Sequence, residues 1–381
     1  MVISDLIKPR QEIITSDYQF DLNIAKINAV NRLESSAEKF LAKTYPSEDL
    51  NQVIQIINNK IIGSSDLGSV VLSGNKGLGK THTLLTAYNL FANPDATKNW
   101  LVEHKIKFNK FNLAIVKNQS KYCAVAAENL TTDKLWEAIF RGLGADELLR
   151  RVDDYPESRI IRKLVNKEYT AVFIDELDKW FSQLRENNAD LLASNKKFLE
   201  NLLNTAAKNS NLFVFASVQG QNKDLLKIIK SSKAELLKLE EFKEEQELIN
   251  YRLFNSINKS VQKNEINAVI EKYLNTYQQQ EFDLLGQESL KQKLLETYPF
   301  HSDLMKLLEE QVLTNKLNLL ASAIKNHYQE KDLLLVSDIA IDDLSAINSE
   351  IYSSAQEIND KLNNNFDFFT EVLTTLTAYN I

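Results

Sequence analysis

The sequence has one cysteine, Cys123, and no long apolar run. A single cysteine forms no disulfide within the chain, which excludes the class of small secreted domains held together by disulfides. No stretch approaches the roughly 20 apolar residues of a membrane-spanning helix. The first residues, MVISDLIKPRQEII, lack the basic region, apolar core and cleavage site of a secretory signal. We therefore expect a cytoplasmic protein with no membrane partner.

Positive charge is also in deficit. The 381 residues contain 45 Lys and Arg against 52 Asp and Glu, a net charge of −7. This balance argues against an overall basic surface for nucleic acid, although it is compatible with a local basic face, so DNA stays open as a partner that charge does not indicate. A chain of this length exceeds the size at which one core keeps growing, so we expect two or three subdomains.

Glycine is scarce, yet three of the nine glycines fall within six positions in the stretch VVLSGNKGLGKTHTLL. Residues 74–81 match G-x-x-x-x-G-K-[ST] at every fixed position, between a β-branched run and a helical pattern. Glycines let backbone N–H groups approach phosphate oxygens, and the following helix contributes the partial positive charge of its N-terminus. The predicted nucleotide-binding residues are Gly74, Asn75, Lys76, Gly77, Leu78, Gly79, Lys80, Thr81 and His82.

Two side chains of this loop have specific predicted roles. Lys80 is expected to reach the β- and γ-phosphates of ATP, and Thr81 to ligate Mg²⁺. The alternative is a glycine-rich turn that merely links a strand to a helix. The strand and helix patterns on either side favour the phosphate loop.

An apolar run that ends in acids, YTAVFIDELDKWF, predicts a second part of the same site. Residues 171–174 suit the centre of a parallel sheet and deliver Asp175 and Glu176 at its carboxyl end, where α/β sheets bind ligands. We expect Asp175 to hold Mg²⁺ through its water shell and Glu176 to polarise the attacking water. The alternative is an acidic helix start after a core strand, and we interpret Asp178 as a helix cap.

A third apolar run, NLFVFASVQGQ, predicts the next strand. Its polar end offers Ser217 and Gln219 as candidates to sense the γ-phosphate, and Ser217 is assigned a catalytic role. A polar strand end satisfied by the backbone is the alternative interpretation. The later run AELLKLEEF is a candidate last strand.

The phosphate loop, the VFIDEL box and the LFVFASV strand together resemble an AAA+ ATPase. This resemblance implies an α/β P-loop NTPase fold, a three-layer sandwich with a parallel sheet, followed by an all-helical lid that closes over the nucleotide. It also implies ATP and Mg²⁺ as cofactors and a homo-oligomer as a candidate assembly. A nucleotide-dependent switch with little turnover and a DNA-associated motor of the replication-initiator type are the alternative functions.

Smaller features narrow the resemblance. The segments AEKFLAKTYPSEDL, EEQELINYRLF and TYPFHSDLMKLL resemble the large ATPases of bacteriophage-exclusion (BREX) and phage-growth-limitation defence loci. The resemblance covers about residues 38–325 and implies other defence-system proteins as partners. Those ATPases are much longer, so it implies a shortened or split form, or a different AAA+ branch.

The sequence departs from this family in its arginines. AAA+ rings commonly supply an arginine near the loop before the last strand, but NKDLLKIIKSSKAELL contains only lysines. Lys230, Lys233 or Arg252 remain as candidates, and Lys316 and Asn318 stand where the helical subdomain often carries another arginine. An arginine finger raises the rate of phosphoryl transfer by about 10³–10⁵. Because this segment offers only lysines, we expect slow hydrolysis.

These landmarks predict four segments: a leader at 1–60, the AAA+ domain at 61–240, the helical lid at 241–330 and a helical extension at 331–381. In the leader, Tyr45 and Pro46 are the predicted contacts to the adenine base. His301 has no catalytic partner visible in the sequence, so we expect it to cap or pack. The extension contains an aromatic cluster at Phe366, Phe368 and Phe369.

Overall fold

The structure is a computed structural model, and it describes residues 1–108, 116, 120–130, 132–165, 168–220, 222–240, 244–255, 263–279 and 287–339. The chain divides into two compact units. One unit comprises residues 21–242, and the other comprises residues 1–20 together with the chain after residue 242. We call them the α/β unit and the helical unit.

The α/β unit is built on a five-stranded parallel sheet with the strand order β2-β3-β4-β1-β5. The strands are β1 Ser69–Ser73, β2 Ser120–Ala126, β3 Tyr169–Asp175, β4 Leu212–Val218 and β5 Glu235–Lys238. Because all strands run in one direction, the ends of β1, β3 and β4 meet at one edge of the sheet.

Helices account for most of the remaining described residues. They are α1 Ile3–Leu6, α2 Gln11–Thr15, α3 Ala37–Leu41, α4 Glu48–Ile61, α5 Lys80–Ala92, α6 Pro94–Glu103, α7 Leu135–Gly142, α8 Asp146–Leu149, α9 Ser158–Leu164, α10 Leu177–Asn187, α11 Ala189–Ala206, α12 Lys223–Ser231, α13 Glu245–Leu253, α14 Lys263–Gln279, α15 Gln287–Thr297, α16 Ser302–Leu307 and α17 Leu313–His327. Within the described ranges, no helix is both long and apolar enough to cross a membrane.

Strand β3 shows why the sheet is buried on both faces. Alternate side chains of a strand point to opposite faces, and here Val172 and Ile174 join one apolar core while Ala171 and Phe173 join another. The first core contains α7 and α11, and the second contains α4 and α5. Helices therefore cover both faces, which confirms the predicted three-layer P-loop fold.

The helical unit has its own apolar core, which includes the first residues of the chain. Ile3, Leu6 and Ile7 are buried with side chains of α13 and α17, and Pro9 forms an isolated bridge with Phe254. This division differs from the predicted leader at 1–60, because residues 1–20 pack in the helical unit and α4 packs in the α/β unit.

The predicted extension at 331–381 also divides. Leu333, Leu334 and Ile339 are buried in the core of the helical unit. Residues 340–381 of that extension, which include the aromatic cluster, lie outside the described residues.

His301 caps α16, as the sequence predicts. Its Nδ1 accepts the backbone N–H of Asp303 at 3.1 Å, and its Nε2 lies 3.0 Å from the hydroxyl of Tyr277. Burial lowers the pKa of His301, which favours the neutral ring that an Nδ1 acceptor requires.

Candidate functional site

The loop between β1 and α5 has the backbone geometry of a phosphate loop. Gly77 and Gly79 have φ of 89° and 80°, the left-handed region that glycine occupies without steric cost. A Cβ at Gly74 would lie 2.8 Å from the carbonyl oxygen of Leu239, so this position also requires glycine. Each of the three motif glycines is therefore required for a conformational or a steric reason, which is consistent with a compact loop at the start of a helix.

Lys80 keeps its ammonium inside this loop. Its Nζ donates to the carbonyl oxygens of Gly74 at 2.6 Å and Asn75 at 2.7 Å. Burial lowers the pKa of Lys80, and the carboxylates of Asp175, Asp178 and Glu176 oppose that shift. A buried cation thus lies where the motif predicts the phosphates.

Thr81 and Asp175 meet although they are far apart in the sequence. The Thr81 hydroxyl donates to Oδ2 of Asp175 at 2.7 Å. Asp175 is only 5% exposed, and burial raises its pKa while hydrogen bonds from Ser217 and Thr81 and the charge of Lys80 lower it. Hydroxyl and carboxylate oxygens are the ligands that Mg²⁺ prefers, so this pair fits the predicted metal.

Ser217 is tied to the end of β3. Its hydroxyl donates to Oδ1 of Asp175 and accepts the backbone N–H of Glu176 at 2.9 Å. The side chain is fully buried. The hydroxyl therefore orients Asp175 and the peptide of Glu176, whereas its predicted contact with the γ-phosphate stays a prediction.

Asp178 makes a similar tie from α10. Its Oδ2 accepts the backbone N–H of Gln219, the residue after β4, at 3.0 Å. The interpretation of Asp178 as a helix cap is wrong, because Glu176 holds the N-cap position of α10 and the Asp178 carboxylate accepts from the residue that follows β4. The ends of β3 and β4 are thus joined by side chains on both sides of Glu176.

Glu176 has a left-handed backbone, with φ of 57° and ψ of 44°. Its Oε2 accepts Nζ of Lys179 at 2.5 Å, and the same Nζ donates to Oε2 of Glu128 at 3.0 Å. Burial and the nearby Glu128 raise the pKa of Glu176 to about 7, and Lys179 opposes them.

Lys179 and Glu128 are functional candidates that sequence reasoning missed. Lys179 is three residues after Glu176 on a helix, a spacing that could have identified it. Glu128 follows β2, and only the parallel pairing of Ala126 with Asp175 brings it to the same edge.

The predicted base-binding region lies beside the first turn of α5. Nε2 of His82 is 3.0 Å from the hydroxyl of Thr44, and its ring packs on Phe40 at 4.7 Å. Tyr45 follows directly and is half-buried. The structure brings His82 and residue 44 together, while the adenine contact of Tyr45 and the nucleotide contact of His82 stay predictions.

The candidate cations differ in their surroundings. Lys230 is exposed in the last turn of α12, and Lys233 is exposed two residues after that helix ends. Arg252 is buried in the helical unit, where it lies 5.3 Å over the ring of Phe20, and burial lowers its pKa to about 10. Lys316 pairs with Glu245 at 2.7 Å in the same unit, and Asn318 is exposed.

Two family models match this chain. Residues 19–230 match the DUF499 N-terminal domain, and residues 242–335 match the DUF499 second domain. No curated protein sequence matches the chain.

The solved structures that match this chain include the following two. A Walker-type ATPase of Pyrococcus abyssi has 9% identity and a TM-score of 0.31, with 84% of this chain and 74% of that chain covered. The AMPPCP-bound DnaA of Aquifex aeolicus has 12% identity and a TM-score of 0.31, with 92% and 99% covered. Because both scores are low, the fold assignment depends on the strand order and loop geometry of this chain.

Proposed function

This chain belongs to the DUF499 family, and on the geometry of its α/β unit we propose that it binds ATP with Mg²⁺ and hydrolyses it. The observation that carries the proposal is the meeting of Lys80, Thr81 and Asp175 at the carboxyl edge of a parallel sheet. A glycine-rich turn that only links a strand to a helix would not need a buried lysine. It would also not need a carboxylate that accepts a hydrogen bond from a hydroxyl in the first turn of that helix.

Each residue has a distinct part in the proposed reaction. The loop backbone and Lys80 bind the phosphates, and Thr81 and Asp175 hold Mg²⁺, directly or through its water shell. The metal, when bound, neutralises charge on the phosphate oxygens. Ser217 keeps Asp175 oriented. Glu176 lies next in the chain and orients the attacking water as general base.

We propose that turnover of the isolated chain is slow. Arg252 and Lys316 are engaged inside the helical unit, which leaves Lys230 and Lys233 as exposed candidates for a trans-acting cation. A lysine presents a point charge and not the bidentate fork of an arginine. This observation favours the switch-like alternative, in which bound ATP changes the state of the protein and hydrolysis resets it.

The biological setting is a finer proposal. The RLF and YPFH segments resemble the defence ATPases named above, and on that resemblance we propose a cytoplasmic role in an anti-phage complex with other defence proteins. Deleting the gene from its native locus should raise the plating efficiency of phages on that host. An unchanged efficiency across a broad phage panel would contradict this role.

A phosphate-release assay tests the ATPase proposal. The full chain should release phosphate from ATP slowly in Mg²⁺ and stop in excess EDTA. Lys80→Ala should abolish the signal, and Lys208→Met, which changes an exposed lysine after α11, should leave it unchanged. Equal release by wild type and Lys80→Ala would overturn the proposal.

A further inference from the structure

We infer that Lys179 and Glu128 are positioning residues for Glu176, with the Lys179 ammonium bridging the two carboxylates and holding Glu176 at the end of β3. The inference rests on the proposed function, because it concerns the carboxylate proposed to orient water. Neither residue belongs to the phosphate loop or to the acidic box.

Three separate elements converge on this bridge. Glu176 follows β3, Lys179 lies in the first turn of α10, and Glu128 lies in the short turn after β2. One ammonium contacts both carboxylates, at 2.5 Å and 3.0 Å. The bridge thus connects the edge strand β2 to the candidate base, and a shift of any of the three elements would displace the carboxylate.

Electrostatics explain why the ammonium is needed. Glu128 and Glu176 lie close together, because the same ammonium contacts a carboxylate oxygen of each. Like charges at this distance repel strongly when neither is neutralised. Lys80 and Lys76 of the phosphate loop also act on this cluster. Both belong to the loop that is proposed to bind phosphate, so neither replaces Lys179 when nucleotide is bound.

The bridge is partly exposed to solvent. The side chains of Glu176, Glu128 and Lys179 are 24%, 30% and 39% exposed. Exposed ion pairs usually contribute little to stability. Loss of the bridge should therefore alter where Glu176 lies more than it alters folding, and the effect should appear in turnover.

A double-mutant cycle on the full chain tests this inference. Lys179→Met should lower kcat roughly 10- to 100-fold through misplacement of the base, with the Kd for ATP unchanged. Lys179→Arg should restore most of the rate, since it keeps the cation. The double variant with Glu128→Gln and Lys179→Met should have a kcat at least about tenfold higher than that of Lys179→Met alone. The reason is that the double variant lacks the repulsion that Lys179 neutralises.

The recovery distinguishes positioning from a merely structural role. If the two substitutions reduce kcat independently, or if Lys179→Met leaves kcat unchanged or raises it, the inference is overturned. Lys179→Gln replaces the methionine variant if that protein is insoluble. Lys208→Met is the matched control for removal of an exposed lysine and should show wild-type kcat.

Failure of the inference differs from failure of the proposed function. Loss of turnover in Glu176→Gln with normal turnover in Lys179→Met removes only the positioning role. Wild-type turnover in Glu176→Gln removes Glu176 as the base, and the positioning role falls with it.

Discussion

Two buried lysines lie at opposite edges of the same sheet, and each donates hydrogen bonds to backbone carbonyl oxygens. Nζ of Lys60 donates to the carbonyl oxygen of Ala206 at 2.6 Å, and Nζ of Lys80 donates to that of Gly74 at 2.6 Å. Burial lowers the pKa of both, that of Lys60 to about 8. Burial and a shifted pKa therefore do not by themselves identify a functional lysine.

The rings and charged groups near the two ammonium groups differ. Lys60 lies at the amino edge, near the start of β4, with the ring of Phe213 at 5.2 Å and the carbonyl oxygen of Asp66 at 3.4 Å, and the charge of Asp66 opposes the lowering of the Lys60 pKa. Lys80 lies at the carboxyl edge, within the electrostatic reach of Asp175 and Glu176. The difference teaches that one lysine joins helix α4 to the end of helix α11, whereas the other belongs to a set of groups suited to phosphate and metal.

The largest expected effect is at the carboxyl edge. Glu176→Gln removes the proposed general base, which contributes about 10²–10⁴ in rate, so kcat should fall by that factor. The amide is nearly isosteric, so ATP affinity and thermal stability should be unchanged. Phosphate release under single-turnover conditions, with calorimetry for binding, measures both quantities. A wild-type rate in this variant would contradict the role of Glu176 as the general base at the carboxyl edge.

A smaller effect is expected at Ser217. Ser217→Ala removes the hydrogen bond to Asp175 and leaves the Glu176 N–H unpaired, so turnover should fall about tenfold or more. Binding of ATP and ADP should weaken equally, since the hydroxyl orients Asp175. Titrations of the variant with each nucleotide check this. A loss confined to ATP would instead support the direct γ-phosphate contact.

At the amino edge the expected effect is on stability and depends on pH. Lys60 has a folded-state pKa of about 8 against an ordinary value of 10.5, so the unfolded chain binds more protons between these values and stability rises with pH there. From pH 8 to 10.5, wild type should gain about 1–3 kcal/mol in unfolding free energy relative to Lys60→Met. Urea unfolding at several pH values measures this gain. A constant difference between the two proteins would contradict it.

The smallest effect is expected at the exposed lysines. Neither Lys230→Ala nor Lys233→Ala should lower the rate more than about tenfold, and specific activity should change little with protein concentration, because a point charge stabilises transferring phosphate poorly. Activity measured over a range of concentrations checks this. A steep rise with concentration that either variant abolishes would reveal a shared active site between copies.

The sequence predicted the parts of the site that are contiguous in the chain. Residues 74–81 and the pair Asp175–Glu176 are local motifs, and their flanking strands have the β-branched pattern of buried parallel strands. The α/β class and the sheet follow from the same periodicity.

Contacts set by strand order could not be predicted from sequence. Glu128 reaches Lys179 because β2 and β3 pair in a given register, and Ser217 turns to Asp175 because β4 lies beside β3. Lys60 looks like an ordinary surface lysine in its helix, and only the fold places Ala206 beside it. The packing of Ile3 and Leu6 with the helical unit likewise depends on contacts far along the chain.

Calorimetric titration of Mg²⁺-ATP into wild type, Lys80→Ala and Lys60→Met tests the central claim most directly. Lys80 offers charge-assisted hydrogen bonds worth about 1.5–3 kcal/mol each, so Lys80→Ala should raise Kd roughly 100-fold or more while the sheet stays folded. Lys60→Met should bind ATP as wild type does, at a pH where it is folded. Retained affinity in Lys80→Ala, or equal losses in the two variants, would contradict the assignment of the carboxyl edge as the nucleotide site.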